Sequence, residues 1–357
     1  MPLSPELRRR LEEILACPTA PFAEGRVHAA IRAAVAGRKG LRESFDAFGN
    51  HLVVCGRGRP RLLFACHTDH PALLLEKGGV ALIRGGMSPA QLEGAALRTL
   101  DGSRRGLVAG KKRKEGRIAV KGVRGLPPGT PLLLDLPDLR IRGGKIHSRV
   151  IDDLCAVAAC LATADRLLAE GFAGSVGFLF TRAEEVGFAG ALAWTRSTRQ
   201  PRSTTIINLE MSNARPHTPQ GRGPILRVGD RMTIFSQEVA AELEAVALEM
   251  KEKEGFRYQR ALMDGGACEA TVYAHAGFRT GALCLPLRNY HNHAARGGMG
   301  MEYVAAEDAE NLVVWMTAYA RRFGAIDAGS TRTRRLSALW ARHQKEMRRT
   351  ASEGRGG

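Results

Sequence analysis

Apolar residues recur at intervals of three and four near the start of the chain, and short apolar runs follow them. The helical spacing predicts helices over residues 5–16 and 23–36. Residues 44–54 and 61–66 are predicted strands, and the second contains the run LLFAC, which is typical of a buried strand. The first part of the chain therefore combines helices with strands.

The pattern changes between about residues 71 and 146. Here glycines and prolines separate short apolar runs such as GLVAG and RIAVKGV. Short runs bounded by turn residues predict a small β-rich module of several short strands.

Helices and strands alternate beyond the module. The predicted helices cover residues 151–170, 189–195, 237–251, 269–275 and 306–323, and the predicted strands cover 175–181, 204–208 and 280–284. This alternation predicts an α/β sheet flanked by helices. Because the parts on either side of the module would form one sheet, we expect His67 to lie near Asp152.

Composition is that of a globular intracellular protein. The chain has 357 residues, 44% of them hydrophobic, which allows two or three domains. The opening MPLSPELRRRLEEIL is too interrupted by charge for a signal peptide, and no run approaches the roughly 20 apolar residues of a membrane span. Seven cysteines without a CxxC pair favour a reducing compartment. A cytoplasmic location and no membrane partner are predicted.

The net charge of +17 is concentrated in two clusters, at residues 104–124 and 332–355. Basic clusters bind nucleic acids or attract acidic ligands. No RNP, zinc-finger or helix-turn-helix motif accompanies them, so a nucleic-acid partner is unsupported. The favoured interpretation is solvated loops and a frayed tail, in which residues 336–349 can form a short helix.

Five polar sites stand where predicted strands end or helices begin. They are His67-Thr68-Asp69, Asp152-Asp153, Glu184-Glu185, Glu210 and His291-Asn292-His293. Polar groups at strand ends line the ligand crevice of open α/β sheets. Imidazole and carboxylate groups suit zinc, and adjacent carboxylates repel each other unless a cation lies nearby. A carboxylate can also bridge two metal ions about 3.5–4 Å apart.

Each site alone has an ordinary structural explanation. A His-x-Asp sequence fits a hydrogen-bonded loop, Asp-Asp fits a helix N-cap, and Glu-Glu fits a solvated helix start. Glu210 can face water, and the two histidines can belong to a polar loop. The order and spacing of all five together favour a metal site.

These segments resemble the tetrahedral aminopeptidases, a family of dinuclear zinc metallopeptidases that includes glutamyl, leucyl and deblocking aminopeptidases. The matching motifs are DAFGNHLV, ACHTDH, VIDDLCAVAA, TRAEEVGFAGA and the segment ending LPLRNYHNH. The resemblance covers roughly residues 15–325 and leaves out the tail.

The resemblance implies an α/β fold with a zinc-aminopeptidase-like mixed sheet flanked by helices, and an inserted small β-rich domain of barrel or PDZ-like type. It implies a catalytic domain in two parts, residues 1–70 and 147–325. Residues 71–146 would form the inserted oligomerisation domain, and residues 326–357 the basic tail.

The resemblance also implies two metal ions per chain, zinc first, with cobalt or manganese as alternatives. The ligands of one ion would be His67, Asp152 and Glu210, and those of the other would be Asp152, Glu185 and His291. Asp69 would orient His67, and Glu184 would be the general base of a metal-dependent aminopeptidase that hydrolyses the first peptide bond of peptides.

Several positions depart from the family pattern. Glu210 stands where the family usually has aspartate, and Leu154-Cys155-Ala156, Gly266-Ala267-Cys268 and Asn292-His293 also differ. These changes spare the implied ligands but leave the substrate preference open. His293 is considered as a substitute ligand or a substrate contact, and neither role is favoured.

Peptide substrates and a dimer-based homo-oligomer, with a tetrahedral dodecamer as one form, follow from the resemblance. Two alternatives remain. A deacylase or dipeptidase-type amide hydrolase would use a related dinuclear site, but the early position of the β-rich insert argues against it. A non-catalytic scaffold with a basic partner-binding surface is disfavoured by the intact Glu184 and metal ligands.

Overall fold

The computed structural model describes residues 3–112 and 116–351, and the side chains at 111, 112, 330–332, 334 and 335 lie outside the description. Arg113 and Lys114 of the first basic cluster and Arg355 of the second are likewise outside it. The helices are α1 Pro5–Leu15, α2 Gly25–Val35, α3 Pro89–Leu92, α4 Ile151–Ala169, α5 Ala189–Ser197, α6 Gln237–Glu254, α7 Glu269–His275, α8 Ala306–Arg322 and α9 Ala328–Arg349, with a 3₁₀ turn at Tyr290–Asn292.

The first eleven strands are β1 Leu41–Phe45, β2 His51–Gly56, β3 Leu62–His67, β4 Ala72–Glu76, β5 Val80–Arg84, β6 Ala96–Thr99, β7 Arg105–Lys112, β8 Arg117–Lys121, β9 Pro131–Leu134, β10 Arg140–Arg142 and β11 Lys145–Ser148. The later strands are β12 Ser175–Thr181, β13 Thr205–Asn213, β14 Ile225–Gly229, β15 Gln259–Leu262, β16 Arg279–Leu287 and β17 Glu302–Ala305.

An eight-stranded mixed sheet forms the centre of the molecule, in the order β1-β2-β12-β3-β13-β16-β14-β15. Strands β12, β3, β13 and β16 are parallel neighbours. Their carboxyl ends therefore meet at one edge of the sheet, where open α/β sheets bind ligands.

Strand β3 shows how side-chain alternation builds a layer on each face of this sheet. Phe64 and Cys66 belong to the larger core, which includes α4 and α8. Leu63 and Ala65 belong to the opposite core with Trp194 of α5 and Tyr273 of α7. The predicted α/β fold with helices on both faces is confirmed.

Between β3 and α4 the chain forms a closed antiparallel barrel, in the order β4-β5-β8-β7-β6-β9. The barrel has its own apolar core, which includes Leu73, Leu97, Val108 and Ile118. The predicted β-rich insertion is therefore a small barrel. Strands β10 and β11 pair instead with each other and with β17 from near the end of the chain.

Three predicted elements differ from the structure. The strand expected at 204–208 is β13, which continues to Asn213, so Glu210 lies within the strand and not after it. Residues 44–54 were expected to form one strand, but the chain turns between β1 and β2. The carboxylate of Asp46 accepts hydrogen bonds from the amides of Phe48 and Asn50, and Gly49 has a φ of +82°, which glycine adopts without strain. The tail forms α9, a helix of 22 residues and longer than expected.

Among the helices of the described residues, none combines the length and the apolar character needed to cross a membrane.

Candidate active site

The five polar sites singled out in the sequence come together at the carboxyl edge of the parallel strands. His67 ends β3 and lies opposite Thr181 of β12. The other members of the group are Asp152 at the start of α4, Glu184 and Glu185 after β12, Glu210 on β13 and His291 in the turn after β16. Parallel register brings residues far apart in sequence to one edge.

The first group of candidate metal ligands centres on His67. Its Nε2 lies 3.3 Å from Oδ1 of Asp152 and 4.0 Å from Oε1 of Glu210. The donor atoms of these three residues all lie within 4.8 Å of one another. One cation placed among them could contact all three.

The second group centres on His291. Its Nε2 lies 3.8 Å from Oδ2 of Asp152 and 3.5 Å from Oε2 of Glu185. These donor atoms also lie within 4.8 Å of one another. The two groups share Asp152 and approach it from different oxygens, which is the arrangement that a bridging carboxylate requires. Glu184, Glu185 and His67 form a third possible group.

The residues present fit a bound cation. Asp152 is 2% exposed. Its Oδ1 and Oε1 of Glu185 have no hydrogen-bond partner of acceptable geometry within the described chain. Burial of an unpaired carboxylate oxygen is costly, and a divalent cation bound beside each of these carboxylates would offset that cost.

Two buried carboxylates hold the segment that carries the paired glutamates. The Oε1 atom of Glu24 accepts a hydrogen bond of 3.0 Å from the amide of Ala183. The two oxygens of Asp69 accept from the amides of Glu184 at 2.9 Å and Glu185 at 3.1 Å. Three consecutive amides are thus fixed by charge-assisted hydrogen bonds, which are stronger than neutral ones.

Asp69 also faces the His67 ring. Its Oδ1 lies 3.4 Å from Nδ1 of His67, and its backbone oxygen lies 3.2 Å from the same nitrogen. Acceptors on this side favour a proton on Nδ1 and leave Nε2 free to face Asp152 and Glu210. One side chain therefore connects the first histidine to the glutamate segment.

Burial dominates the electrostatics of the cluster. It raises the pKa of Glu184 well above its usual value, and the neighbouring carboxylate of Glu210 adds to the increase. Burial, followed by repulsion from Asp152, raises the pKa of Glu210 to about 8. A divalent cation would reverse both effects by favouring the ionised carboxylates.

Glu302 and His70 contact the backbone of Asp152, and Asn292 holds His70; the sequence interpretation gave none of the three a role. The amide of Asp152 donates to Oε2 of Glu302 at 3.0 Å. Nδ1 of His70 contacts the carbonyl oxygen of Asp152, and its Nε2 lies 2.9 Å from Oδ1 of Asn292. His70 and Asn292 stand inside the motifs already singled out, so a signal was available for them. Glu302 has no such signal, because its position depends on the pairing of β17 with β11.

The barrel touches the second histidine group through the loop between β5 and α3. The amide of Ser88 donates to Nε2 of His293 at 2.9 Å. A Cβ atom at Gly86 would lie 2.2 Å from Nδ1 of His291, so only glycine fits there. His293 thus contacts the barrel, and it does not belong to the candidate metal groups of the described residues.

A cavity of about 120 Å³ opens beside Glu210, and its lining includes Arg215, Arg227 and Tyr290. Arg227 is 4% exposed. Its hydrogen bonds reach only the Ser212 hydroxyl and backbone oxygens, at 3.3–3.4 Å. Within the described chain Arg227 forms no ion pair, and a buried cation without one is a natural site for an anionic group.

Comparison with known proteins identifies the family to which this chain belongs. A family model described as M42 glutamyl aminopeptidase matches residues 120–308, which is more than half of the chain. The chain belongs to the M42 glutamyl aminopeptidase family. The match includes four of the five implied metal ligands, and only His67 precedes it. As an M42 member, the chain is a metal-dependent peptide hydrolase, and the predicted family is confirmed.

Solved structures show the same fold as this M42 protein. The dodecameric TET1 peptidase of Pyrococcus horikoshii has a TM-score of 0.74 and 22% identity, covering 89% of this chain and 99% of its own. A TET aminopeptidase from a marine sediment Thaumarchaeota archaeon has a TM-score of 0.76 and 20% identity, covering 90% and 98%. An aminopeptidase of Desulfurococcus kamchatkensis has a TM-score of 0.73 and 20% identity, covering 90% and 98%. A search of curated proteins found no match.

Proposed function

We propose that this protein is an aminopeptidase that binds two divalent metal ions and removes the N-terminal residue of peptides. The observation that carries the proposal is Asp152, whose two oxygens face two different histidines. His67 and Glu210 would complete one ion's ligands, and Glu185 and His291 those of the other. Nitrogen and oxygen donors favour zinc, with cobalt and manganese as alternatives.

Paired ions of this kind lower the pKa of a water molecule and polarise a carbonyl group. Glu184 would act as general base, accepting a proton from the attacking water and donating it to the leaving amine. Its neighbour Glu185 is the better ligand candidate, because Oε2 of Glu185 lies 3.5 Å from His291. Asp69 would keep both glutamates and His67 in position through the contacts described above.

The cavity beside Glu210 would favour substrates whose N-terminal residue is acidic. The buried guanidinium of Arg227 would pair with the substrate carboxylate, and Arg215 lies at the same cavity. Glu210 is both a lining residue of the cavity and a candidate metal ligand. A substrate side chain in the cavity would therefore be that of the N-terminal residue, which lies next to the metal groups. The family description, glutamyl aminopeptidase, agrees with this preference.

An oligomer built from dimers is part of the proposal. The TET1 peptidase of Pyrococcus horikoshii is described as assembling into a tetrahedron or a large octahedral shell. The segment 71–146, which contains the barrel, would supply contacts between copies, while residues 1–70 and 147–325 would form the catalytic domain. Lys111–Lys114 in this segment would oppose close contact between copies by charge repulsion.

A reducing location such as the cytoplasm also fits the chain. All seven cysteines are unpaired, and six of them are buried. Structural disulfides are usual in proteins of oxidising compartments and rare in the cytosol.

A substrate panel tests the proposed activity. The purified full-length protein would be assayed with free and N-acetylated peptides, before and after chelation and with zinc, cobalt or manganese added back. We expect hydrolysis of peptides with a free N-terminus, loss of activity on chelation and recovery on metal addition. Preference for the acylated peptides would instead indicate a deacylase, and inactivity under every metal condition would indicate a scaffold.

A further inference from the structure

Helix α9 carries an apolar stripe whose residues belong neither to the candidate metal groups nor to the cavity beside Glu210. Leu336, Leu339, Trp340 and Met347 follow the spacing of a helix face. At about 100° per residue they fall within an arc of roughly 100°. The matched family segment ends at residue 308, well before this helix.

The stripe is open to solvent along its length. Its four members are between 48% and 62% exposed. Helix α9 contacts α6, yet from Leu336 to Arg349 every side chain is exposed except the half-buried Gln344. Large apolar side chains aligned on one exposed face mark an interaction surface rather than a core.

The other side of the helix is strongly basic. Helix α9 contains seven arginines and lysines and one glutamate, a net charge of +6. Arg342, Lys345 and Arg348 lie on the side opposite the stripe by helical spacing, and among the described residues they form no ion pair. Glu346, the one acidic residue, pairs with Arg349.

We propose that α9 binds the surface of an anionic lipid bilayer and lies parallel to it. The stripe would enter the boundary between head groups and acyl chains, and the basic residues would contact the charged head groups, as in other interfacial amphipathic helices. Trp340 suits this boundary because its ring is apolar with one polar N–H group. This mode of binding needs no membrane-spanning segment, and it departs from the expectation of no membrane partner, which rested on the lack of such a segment.

Charge and shape favour this partner over two others. A second copy of α9 would bring two helices of net charge +6 together, and their repulsion opposes pairing of the stripes. Nucleic acid would attract the arginines but offers no apolar layer to cover leucine and methionine side chains. An anionic bilayer complements both faces of the helix.

Vesicle binding by the full-length protein tests the proposal without any measurement of peptidase activity. The protein would be sedimented with vesicles of phosphatidylcholine alone and of phosphatidylcholine with phosphatidylserine, at low and high salt. We expect binding only to the anionic vesicles and weaker binding as salt rises, because salt screens the attraction of the basic residues. No binding to anionic vesicles at low salt would overturn the proposal.

Matched variants assign the binding to α9. The double substitution Leu339→Ser with Trp340→Ser should weaken vesicle binding at least about tenfold, because it removes two inserted apolar side chains. Arg342→Gln with Lys345→Gln should weaken it by more than about tenfold. The control Met232→Ser with Ile234→Ser changes apolar side chains that are 66% and 68% exposed elsewhere, and it should bind as the wild type does. Equal binding by all these variants would exclude α9.

Tryptophan fluorescence gives an independent result. Trp194 and Trp315 are buried, so a blue shift on addition of anionic vesicles would report Trp340, and Trp340→Phe should abolish the shift. Two outcomes would favour the rejected partners. Tight RNA binding without vesicle binding would indicate nucleic acid, and a changed subunit number in the Leu339 and Trp340 variant, without vesicle binding by the wild type, would indicate a second copy.

Discussion

Two adjacent glutamates have different roles in the proposed chemistry, one as general base and the other as metal ligand. Glu184 and Glu185 are adjacent in sequence but differ in their neighbours, since Glu185 lies near His291 while the Glu184 amide is held by Asp69. We expect Glu184→Gln to keep its metal but to lose about 10²–10⁴ in kcat, because glutamine cannot accept the proton from water. Metal analysis together with steady-state kinetics would measure both effects.

Glu185→Gln serves as the matched control for this prediction. It should lower metal content, because a ligand of the second ion would be lost, and activity should fall with it. Wild-type activity in Glu184→Gln would show that the roles of the two glutamates are wrongly assigned.

Arg227 is predicted to set the preference for the N-terminal residue. Arg227→Met removes a buried guanidinium, and we expect kcat/KM to fall about 10–100-fold for peptides beginning with glutamate, since a hydrogen bond to a charged group contributes roughly 1.5–3 kcal/mol. Peptides beginning with leucine should lose much less.

Arg215→Met is the matched control for Arg227, because Arg215 lines the same cavity but is partly exposed and paired with Asp264. It should have a smaller effect on both substrates. An equal loss for the glutamate and leucine peptides in Arg227→Met would show that Arg227 stabilises the fold rather than selecting the substrate.

At the level of elements, the loop between β5 and α3 couples the barrel to the metal groups. Gly86→Ala would place a methyl group 2.2 Å from Nδ1 of His291 and force that ring to move. Displaced ligands commonly lower metal affinity by about 10–100-fold, so we expect weaker binding of the second ion. Gly25→Ala is the control, because nothing lies within 4 Å of its added methyl group. Unchanged metal affinity in Gly86→Ala would show that the loop between β5 and α3 does not couple the barrel to the metal groups.

Elements with a strong local pattern were predicted well. The strand at residues 175–181 and the helix at 269–275 have the predicted bounds. The expected single strand at 44–54 failed because Asp46 and Gly49 together make a turn whose hydrogen bonds outweigh strand propensity. The pairing of β11 with β17 joins segments more than 150 residues apart, and no local pattern encodes it.

The candidate site shows the same division. Its five polar sites were found because four of them stand where a strand ends or a helix begins, and parallel register then brings them together. Glu210 lies inside β13, although the sequence placed it after a shorter strand. Residues that hold the ligands from a distance, such as Glu302, were missed because their role depends on three-dimensional packing. The exposure of the α9 stripe could not be predicted either, because a helical pattern of apolar residues does not show whether another element covers that face.

At the scale of the whole molecule, the proposal concerns assembly into an oligomer. We expect light scattering of the purified protein to give a mass of several subunits, because the TET1 peptidase of Pyrococcus horikoshii, which has the same fold, is a dodecamer. If repulsion between the basic clusters at residues 104–124 of neighbouring copies opposes assembly, higher salt should favour assembly by screening that repulsion. A monomer at all concentrations and salt conditions would contradict the proposed oligomer.

The central claim is that one carboxylate, Asp152, bridges two metal ions. Elemental analysis of wild type and Asp152→Asn, each prepared with the same metal supply, tests it most directly. We predict about two divalent ions per wild-type chain and loss of both ions from the variant, because each of its two ligand groups would lose a charged donor. One ion or none in the wild type, or two ions retained by Asp152→Asn, would contradict the bridging role.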